Sequence, residues 1–193
     1  MRRHEVIMAG PVPLLRTITM KTLVDHLAQY AAYHRDRRNI ASHFIGIPMI
    51  VLAVAVLLSR PGFELFGLWL APATLVALAA ALFYLRLDTR FGLVMSLLLA
   101  LCLWAAAGLA LAGTALWLSA GLGLFVVGWV IQFVGHYYEG RKPAFVDDVM
   151  GLMVGPLFVV AELAFLLGLR KEVEHAVVEI AGPTCIREKK ALA

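Results

Sequence analysis

Residues 115–148 read ALWLSAGLGLFVVGWVIQFVGHYYEGRKPAFVDD. From Ala115 to Gly135 the segment holds no charged residue. That is the length, about 20 residues, an α-helix needs to cross the hydrocarbon core of a bilayer. At His136 the character changes abruptly to a polar loop, His136 to Asp148. An apolar run ending in a His-Tyr-Tyr-Glu cluster reads as a transmembrane helix with functional side chains at one membrane face. Working outward, the same kind of run recurs from about His43 to Ser59, Leu65 to Leu85 and Phe91 to Leu111. Arg60-Pro61-Gly62, Arg86 to Arg90 and Gly113-Thr114 are the turns between them. A fifth apolar run, Val149 to Leu169, carries Pro156 and Glu162, both of which need protein partners at bilayer depth.

The whole chain agrees. Of its 193 residues 62% are hydrophobic and 16% charged, with a mean hydropathy of +0.85. A domain this small cannot bury that many helices apolar on every face. The expected fold is therefore all-α, a polytopic transmembrane bundle of four spans plus a fifth broken or re-entrant apolar helix. It forms one domain over residues 21–175, between a disordered extension (1–20) and a polar tail (176–193). Residues 1–20 are broken by Pro11 and Pro13 and do not read as a signal peptide. Residues 21–34 read as a short amphipathic helix, with Leu23, Leu27, Tyr30 and His34 near helical spacing. The charged break Arg35 to Asn39 follows, with Asn39 as the N-cap of the first span.

The net charge of +4 sits beside apolar runs, without a basic stripe interleaved with aromatics. Membrane topology explains it, and a nucleic-acid partner is not expected. Lys21, Arg35, Arg37 and Arg38, then Arg86 and Arg90, then Arg141 and Lys142 mark one side; the opposite loops carry only Arg60. The positive-inside rule places the N-terminus, the second and fourth loops and the tail in the cytoplasm. That requires an even number of crossings. The protein is expected in a bacterial inner membrane, or in the endoplasmic reticulum of a eukaryote. Cys102 and Cys185 have no C-x-x-C partner and read as bystanders. Gly121 and Gly123 read as close helix packing. Oligomeric state is not legible.

None of the six histidines falls in mid-span. Topology puts His34, His43 and His136 at one face. On one continuous helix, nine residues turn the chain by ~900° and would set His34 and His43 on opposite sides; the charged break removes that objection. Tyr30 precedes His34 by a turn, Asn39 precedes His43, Gln132 precedes His136, and Glu139 follows it. A metal-bound imidazole needs an acceptor for its other N–H, and Asn, Gln and Glu side chains can supply one. Imidazoles without thiolates suit Fe, Zn, Cu or Ni, and redox chemistry on lipid would favour iron. A single interfacial histidine is more often an anchor; three at one face, each with a polar neighbour, form a candidate site. No H-x-x-H-H, H-E-x-x-H, G-x-S-x-G or P-loop occurs.

The segments YHRDRRNIASHFIGIP (33–48) and GWVIQFVGHYYEGRKPA (128–144), continued by Asp147, Pro156 and Glu162, resemble a family of small fungal and bacterial membrane proteins. Its fungal member acts in phytosphingosine breakdown as a 2-hydroxy fatty acid dioxygenase. The resemblance covers about residues 21 to 175. It implies an Fe(II)-dependent reaction of a 2-hydroxy fatty acid with O2 that shortens the acid by one carbon, an α-oxidation. It also implies His34, His43 and His136 as ligands, with Glu174-His175 matching a further pair. With five full crossings, however, His175 would lie on the wrong side. Arg38, Arg141 and Lys142 are positioned to pair with the substrate carboxylate. A haem-binding protein and a non-enzymatic lipid-binding protein are the alternatives.

Overall fold

The computed structural model describes residues 21–143 and 149–188. The expected disorder of 1–20, and Ala144, Asp147 and Asp148 of the second motif, lie outside the described residues. The described residues are predominantly helical, with 75% of them in helix.

Helix α1 (Leu23–Ala31) starts at a capping box in which Thr22 and Asp25 satisfy each other's backbone N–H. Its apolar side buries Leu23, Leu27 and Tyr30. The chain breaks over 32–36, and α2 (Arg37–Leu57) begins at Asp36, whose carboxylate accepts from Arg38 N at 2.9 Å. The N-cap is thus Asp36, and Asn39 lies inside the first turn. Asp and Asn are near-equal caps. The one three residues earlier wins, because the helix gains nearly a turn and Asn39 gains a buried partner.

After α2 the structure departs from expectation. The second span does not start at Leu65. Phe63–Leu65 (β1) and Leu68–Leu70 (β2) pair as an antiparallel hairpin, turning through Phe66 and Gly67 at φ 50° and 77°. Two consecutive positive φ values are what a tight hairpin requires. Trp69 anchors the hairpin by donating from Nε1 to Ser59 O at 2.9 Å. Helix α3 (Pro72–Leu87) starts only at a proline, whose fixed φ and missing N–H suit a first helical position. At 16 residues it rises ~24 Å. The turn to α4 (Thr89–Leu111) shrinks to Asp88, whose carboxylate caps α4 at Phe91 N, 2.9 Å away. Gly113, at φ 111°, leads into α5 (Thr114–Glu139). The fourth span therefore runs past Gly135, and His136 and Glu139 are helical, not in a loop. Helix α6 (Met150–Leu166) and α7 (Lys171–Ala181) meet at a bend of 116°, so helix continues past residue 176 as well.

Helices α2, α4 and α5 are long and apolar enough to cross a membrane; α6 with α7 is a fourth candidate if the bent pair counts as one span. Only 17% of the apolar window of α4 and 11% of that of α5 is buried. Leu97, Leu101, Trp104, Val126 and Phe133 point outward. Side chains so apolar and so exposed are compatible with insertion into a bilayer and not with a water-facing surface.

The α2–α5 pair is the axis of the bundle. The helices run antiparallel, Gly135 meeting Ser42 and Gly121 meeting Leu57. At the crossing a Cβ on Gly46 would lie 2.9 Å from Gly128 O, and one on Gly128 3.0 Å from Gly46 O. Only glycine permits that approach. Gly121 also packs closely, whereas Gly123 faces open space, which corrects the paired expectation. Around this axis α1, α6 and α7 share a core with Leu23, Leu27, Phe158, Val173 and Val177. Each fully buried side chain of this size contributes ~1.5–3 kcal/mol. The core clamps α1 and the tail to the end of the bundle where α2 begins.

Candidate metal centre

The break between α1 and α2 turns His34 back towards the bundle, α2 supplies His43 one turn beyond Asn39, and α5 supplies His136. All three are buried, with at most 6% exposure. One ring nitrogen from each lies within 4.8 Å of the others. Ring centroids are 4.5 Å apart for His34–His43, 5.0 Å for His34–His136 and 5.3 Å for His43–His136.

Hydrogen bonds fix which nitrogens face inward. His34 Nδ1 lies 2.6 Å from Tyr30 O, and His43 Nδ1 lies 2.8 Å from Asn39 O. A carbonyl only accepts, so both rings carry their proton on Nδ1 and leave the Nε2 lone pair free. Tyr30 and Asn39, one turn before each histidine, meet the rings through backbone carbonyls rather than side chains. His34 Nε2 and His136 Nδ1 are buried without a hydrogen-bond partner. Each orphaned nitrogen costs ~1–3 kcal/mol, a cost that a cation at the centre of the group removes. Burial, with His43 and His136 alongside, holds His34 well below the ordinary imidazole range. It is neutral at pH 7, the form that ligates. Three buried imidazoles clustered in this way, without a thiolate, fit a divalent transition metal.

The surrounding residues divide by role. The Tyr30 ring stacks on His34 at 4.1 Å and 8° between planes, and burial keeps its phenol protonated by raising its pKa. Glu139 is buried. Its carboxylate accepts from Asp36 N (2.8 Å), Asn39 Nδ2 (3.1 Å) and Arg187 Nε (2.9 Å). It binds the start of α2, the end of α5 and the tail into one unit. Gln132 is 4% exposed, and neither amide atom has a partner. It borders a cavity of about 70 Å³ whose wall also includes Tyr30, His43, His136, Trp129 and Gly155.

Other expected residues are not brought to the group. His175 is exposed on α7 and stands outside it. Arg38 donates to both Asp36 oxygens, at 3.0 and 2.7 Å, and lies over the Tyr138 ring. Arg141 donates to Ala32 O at 3.0 Å. Arg141 and the exposed Lys142 lead into Pro143, which lines the cavity. Glu162 finds a partner in Arg35, 3.5 Å away.

Sequence reasoning missed Asp36 and Arg187. Asp36 is fully buried; its carboxylate accepts from Arg38 and from Arg187 N at 2.8 Å. Those bonds hold its pKa well below the usual carboxylate range, the Arg38 side chain foremost. An Asp opening a helical run is an N-cap signal that could have been read. Nothing in the sequence marks Arg187 or Cys185, whose backbone pairs with that of Arg35 and Arg37 at 2.8 and 2.9 Å.

No solved structure matches the chain. A curated relative, the 2-hydroxy-palmitic acid dioxygenase MPO1 of Saccharomyces cerevisiae, is 34% identical over 162 residues, covering 79% of this chain and 88% of the relative. Residues 20–167, from before α1 to the end of α6 and so including all three clustered histidines, match the family model described as 2-hydroxy-palmitic acid dioxygenase Mpo1-like, and the chain belongs to that Mpo1-like family.

Proposed function

We propose that the protein is an Fe(II)-dependent membrane dioxygenase that shortens 2-hydroxy fatty acids by one carbon. The observation that carries this is the trio of buried, clustered imidazoles with two nitrogens left unpartnered, in a chain of this family. His34, His43 and His136 hold the metal. Iron bound there would supply the Lewis-acid and redox chemistry for a 2-hydroxy acid and O2, as non-haem sites with open positions do. A 2-hydroxy acid and one O2 balance to an acid one carbon shorter, carbon dioxide and water, so no other reductant is needed.

The chain's own residues bind and orient. Gln132 offers an amide N–H and a carbonyl to the cavity, a match for a carboxylate beside a hydroxyl. Tyr30 is a protonated donor at the same wall and a stacking plate for His34. Glu139 and Asn39 set the entry angle of α2, on which His43 rides. Arg38 serves Asp36; the positive charge of Arg141 and Lys142 at the rim draws the carboxylate in.

We place the histidine end in the cytoplasm, with four crossings and α6 re-entrant. The basic loops support this, as do contacts at both ends of α6. Its first turns border the cavity, and the Arg170 that follows it chelates Asp88 between α3 and α4, at 3.0 and 2.9 Å. Both ends of α6 therefore meet the same end of the bundle.

Elemental analysis of detergent-purified protein, followed by incubation with 2-hydroxyhexadecanoic acid under O2, tests the proposal. Near-stoichiometric iron and an acid one carbon shorter are expected. Zinc with no oxygen uptake would overturn it. Substituting Gln132→Leu should raise KM more than it lowers kcat.

A further inference from the structure

The cavity at the histidines adjoins a second, larger space. Ile50, Val51, Trp129, Leu152 and Pro156 line both. The second space is a groove of about 370 Å³ walled by α2, α3, α4, α5 and α6, within the size range of small-molecule clefts. Its far walls are Val54, Ala55, Leu58, Ala77, Cys102 and Phe125, without a charged side chain among them.

Its length follows from helix geometry. Along α2, His43 stands at the head and Leu58 at the foot, fifteen residues or ~22 Å apart. Two hydrogen bonds level the other helices with that foot: Ala73 N to Leu58 O at 2.9 Å, and Arg60 Nε to Ala110 O at 3.0 Å. An extended methylene chain, with bonds of ~1.5 Å, rises ~1.25 Å per carbon. The span from histidines to foot therefore accommodates ~18 carbons.

We propose that this groove is the acyl-chain site and that its foot, at Ala55, Leu58 and Ala77, sets the preferred chain length at ~16–18 carbons. This deepens the function proposed above and rests on the head group lying at the histidines. The occupant is the tail of a long-chain 2-hydroxy acid. Adjacency to the metal centre argues for it: a bilayer lipid's tail would also fit the groove, but among the described residues the polar group beside its head end is the histidine cluster.

Cys102 provides a reporter that needs no turnover. It is half-buried in the groove wall, eight residues above Ala110 and hence ~10 Å below the level of His43. A sixteen-carbon acid with its head at the histidines covers it; a six-carbon acid stops short. Cys185, exposed outside the groove, is the internal control.

The experiment uses the full chain in lipid nanodiscs. Alkylation of each cysteine is followed by mass spectrometry with 2-hydroxyhexadecanoic or 2-hydroxyhexanoic acid present. The longer acid, well above its Kd, should slow Cys102 alkylation about tenfold by mass action and leave Cys185 unchanged; the shorter should do neither. Chain-length profiles of turnover are then compared. Ala55→Phe should lower the optimum by ~4 carbons and Leu58→Ala should raise it by ~2, from the rise per carbon above. The opposite directions separate a ruler from damage to the fold. Turnover with no selective protection and no shift in either variant means a bilayer lipid fills the groove, and overturns the inference while the dioxygenase stands. Protection by the long acid without turnover sinks the dioxygenase and keeps a long-chain hydroxy-acid site. Neither effect overturns both.

Discussion

The two ends of the α2–α5 pair treat their polar groups in opposite ways. At the histidine end, His34, Asp36, Asn39, His43, Gln132, His136 and Glu139 are all buried. At the hairpin end the polar groups close helix ends: Arg60 donates to Ala110 O and Thr114 Oγ1, while Phe66 stands 95% exposed. Burying seven polar side chains is costly unless each is matched, and at the histidine end Gln132 and two imidazole nitrogens are not. Unmatched groups of this kind are what a ligand would satisfy. An end that only caps its helices is specialised for holding them together.

The largest effect expected from this contrast is at the imidazoles. His34→Ala or His136→Ala should remove the iron and cut turnover by more than ~100-fold, since replacing even a residue behind a ligand costs ~10–100-fold. Arg60→Ala at the other end should leave iron content as in the wild type. Metal retained in either histidine variant would mean the polar end is anchoring after all.

Next is Glu139→Gln. The amide keeps the shape but loses the charge that Arg187, Asn39 and Asp36 N share. Charge-assisted hydrogen bonds contribute ~1.5–3 kcal/mol each, and Arg187 is partly solvated, which lowers its share. Iron affinity should fall ~10–100-fold and thermal stability by ~1–3 kcal/mol, both measurable in detergent. An unchanged iron affinity would reduce Glu139 to a helix-end tie like Arg60.

How much of this was legible in sequence depends on which physical signal each element carries. The long apolar runs announced α2, α4 and α5, because hydrophobic length is read directly. The hairpin was hidden inside an apolar run; only Gly67 and Pro72 hinted that Leu65 would not begin a helix. Topology puts His34, His43 and His136 at one face, and offsets of about a turn put Tyr30, Asn39, Gln132 and Glu139 beside them; the structure buries all seven at that end. Offsets cannot say whether a side chain or a carbonyl does the work, so Asn39's side chain was given a task its backbone performs. Arg38 looked available for a substrate because sequence shows its charge and not Asp36 beneath it. The strap from Cys185 to Arg187 depends on where a polar tail returns in space, and periodicity carries no such information.

Acid should sharpen the contrast more gently. The carboxylates of Asp36 and Asp88 are held below their ordinary pKa, chiefly by hydrogen bonds from Arg38 and Arg170. A depressed carboxylate contributes stability that is complete above its unfolded value, ~3.9, and is lost as pH falls through its lower folded value. Both belong to the histidine end. Thermal melts should therefore hold steady from neutral pH to about 5 and decline below ~4. In Asp36→Asn the decline should be shallower. A decline equally steep in that variant would assign the acid sensitivity to other carboxylates.

The smallest effect belongs to the hairpin. Phe66 occupies the left-handed region at φ 50°, where a residue other than Gly, Asn or Asp costs ~1–2 kcal/mol. Its side chain is exposed, so little packing is lost on replacement. Phe66→Asn should raise the melting temperature in detergent by an amount equivalent to ~1 kcal/mol, with iron content and turnover unchanged. In a bilayer the gain should be smaller, because an exposed Phe at a membrane surface gains some burial in the interface. A variant that is more stable yet slower on 2-hydroxy acids would tie the hairpin to the chemistry at the opposite end. The foot of the groove would transmit that effect, since Leu58 and Ala73 flank the hairpin and meet there, and the two ends could no longer be treated as independent.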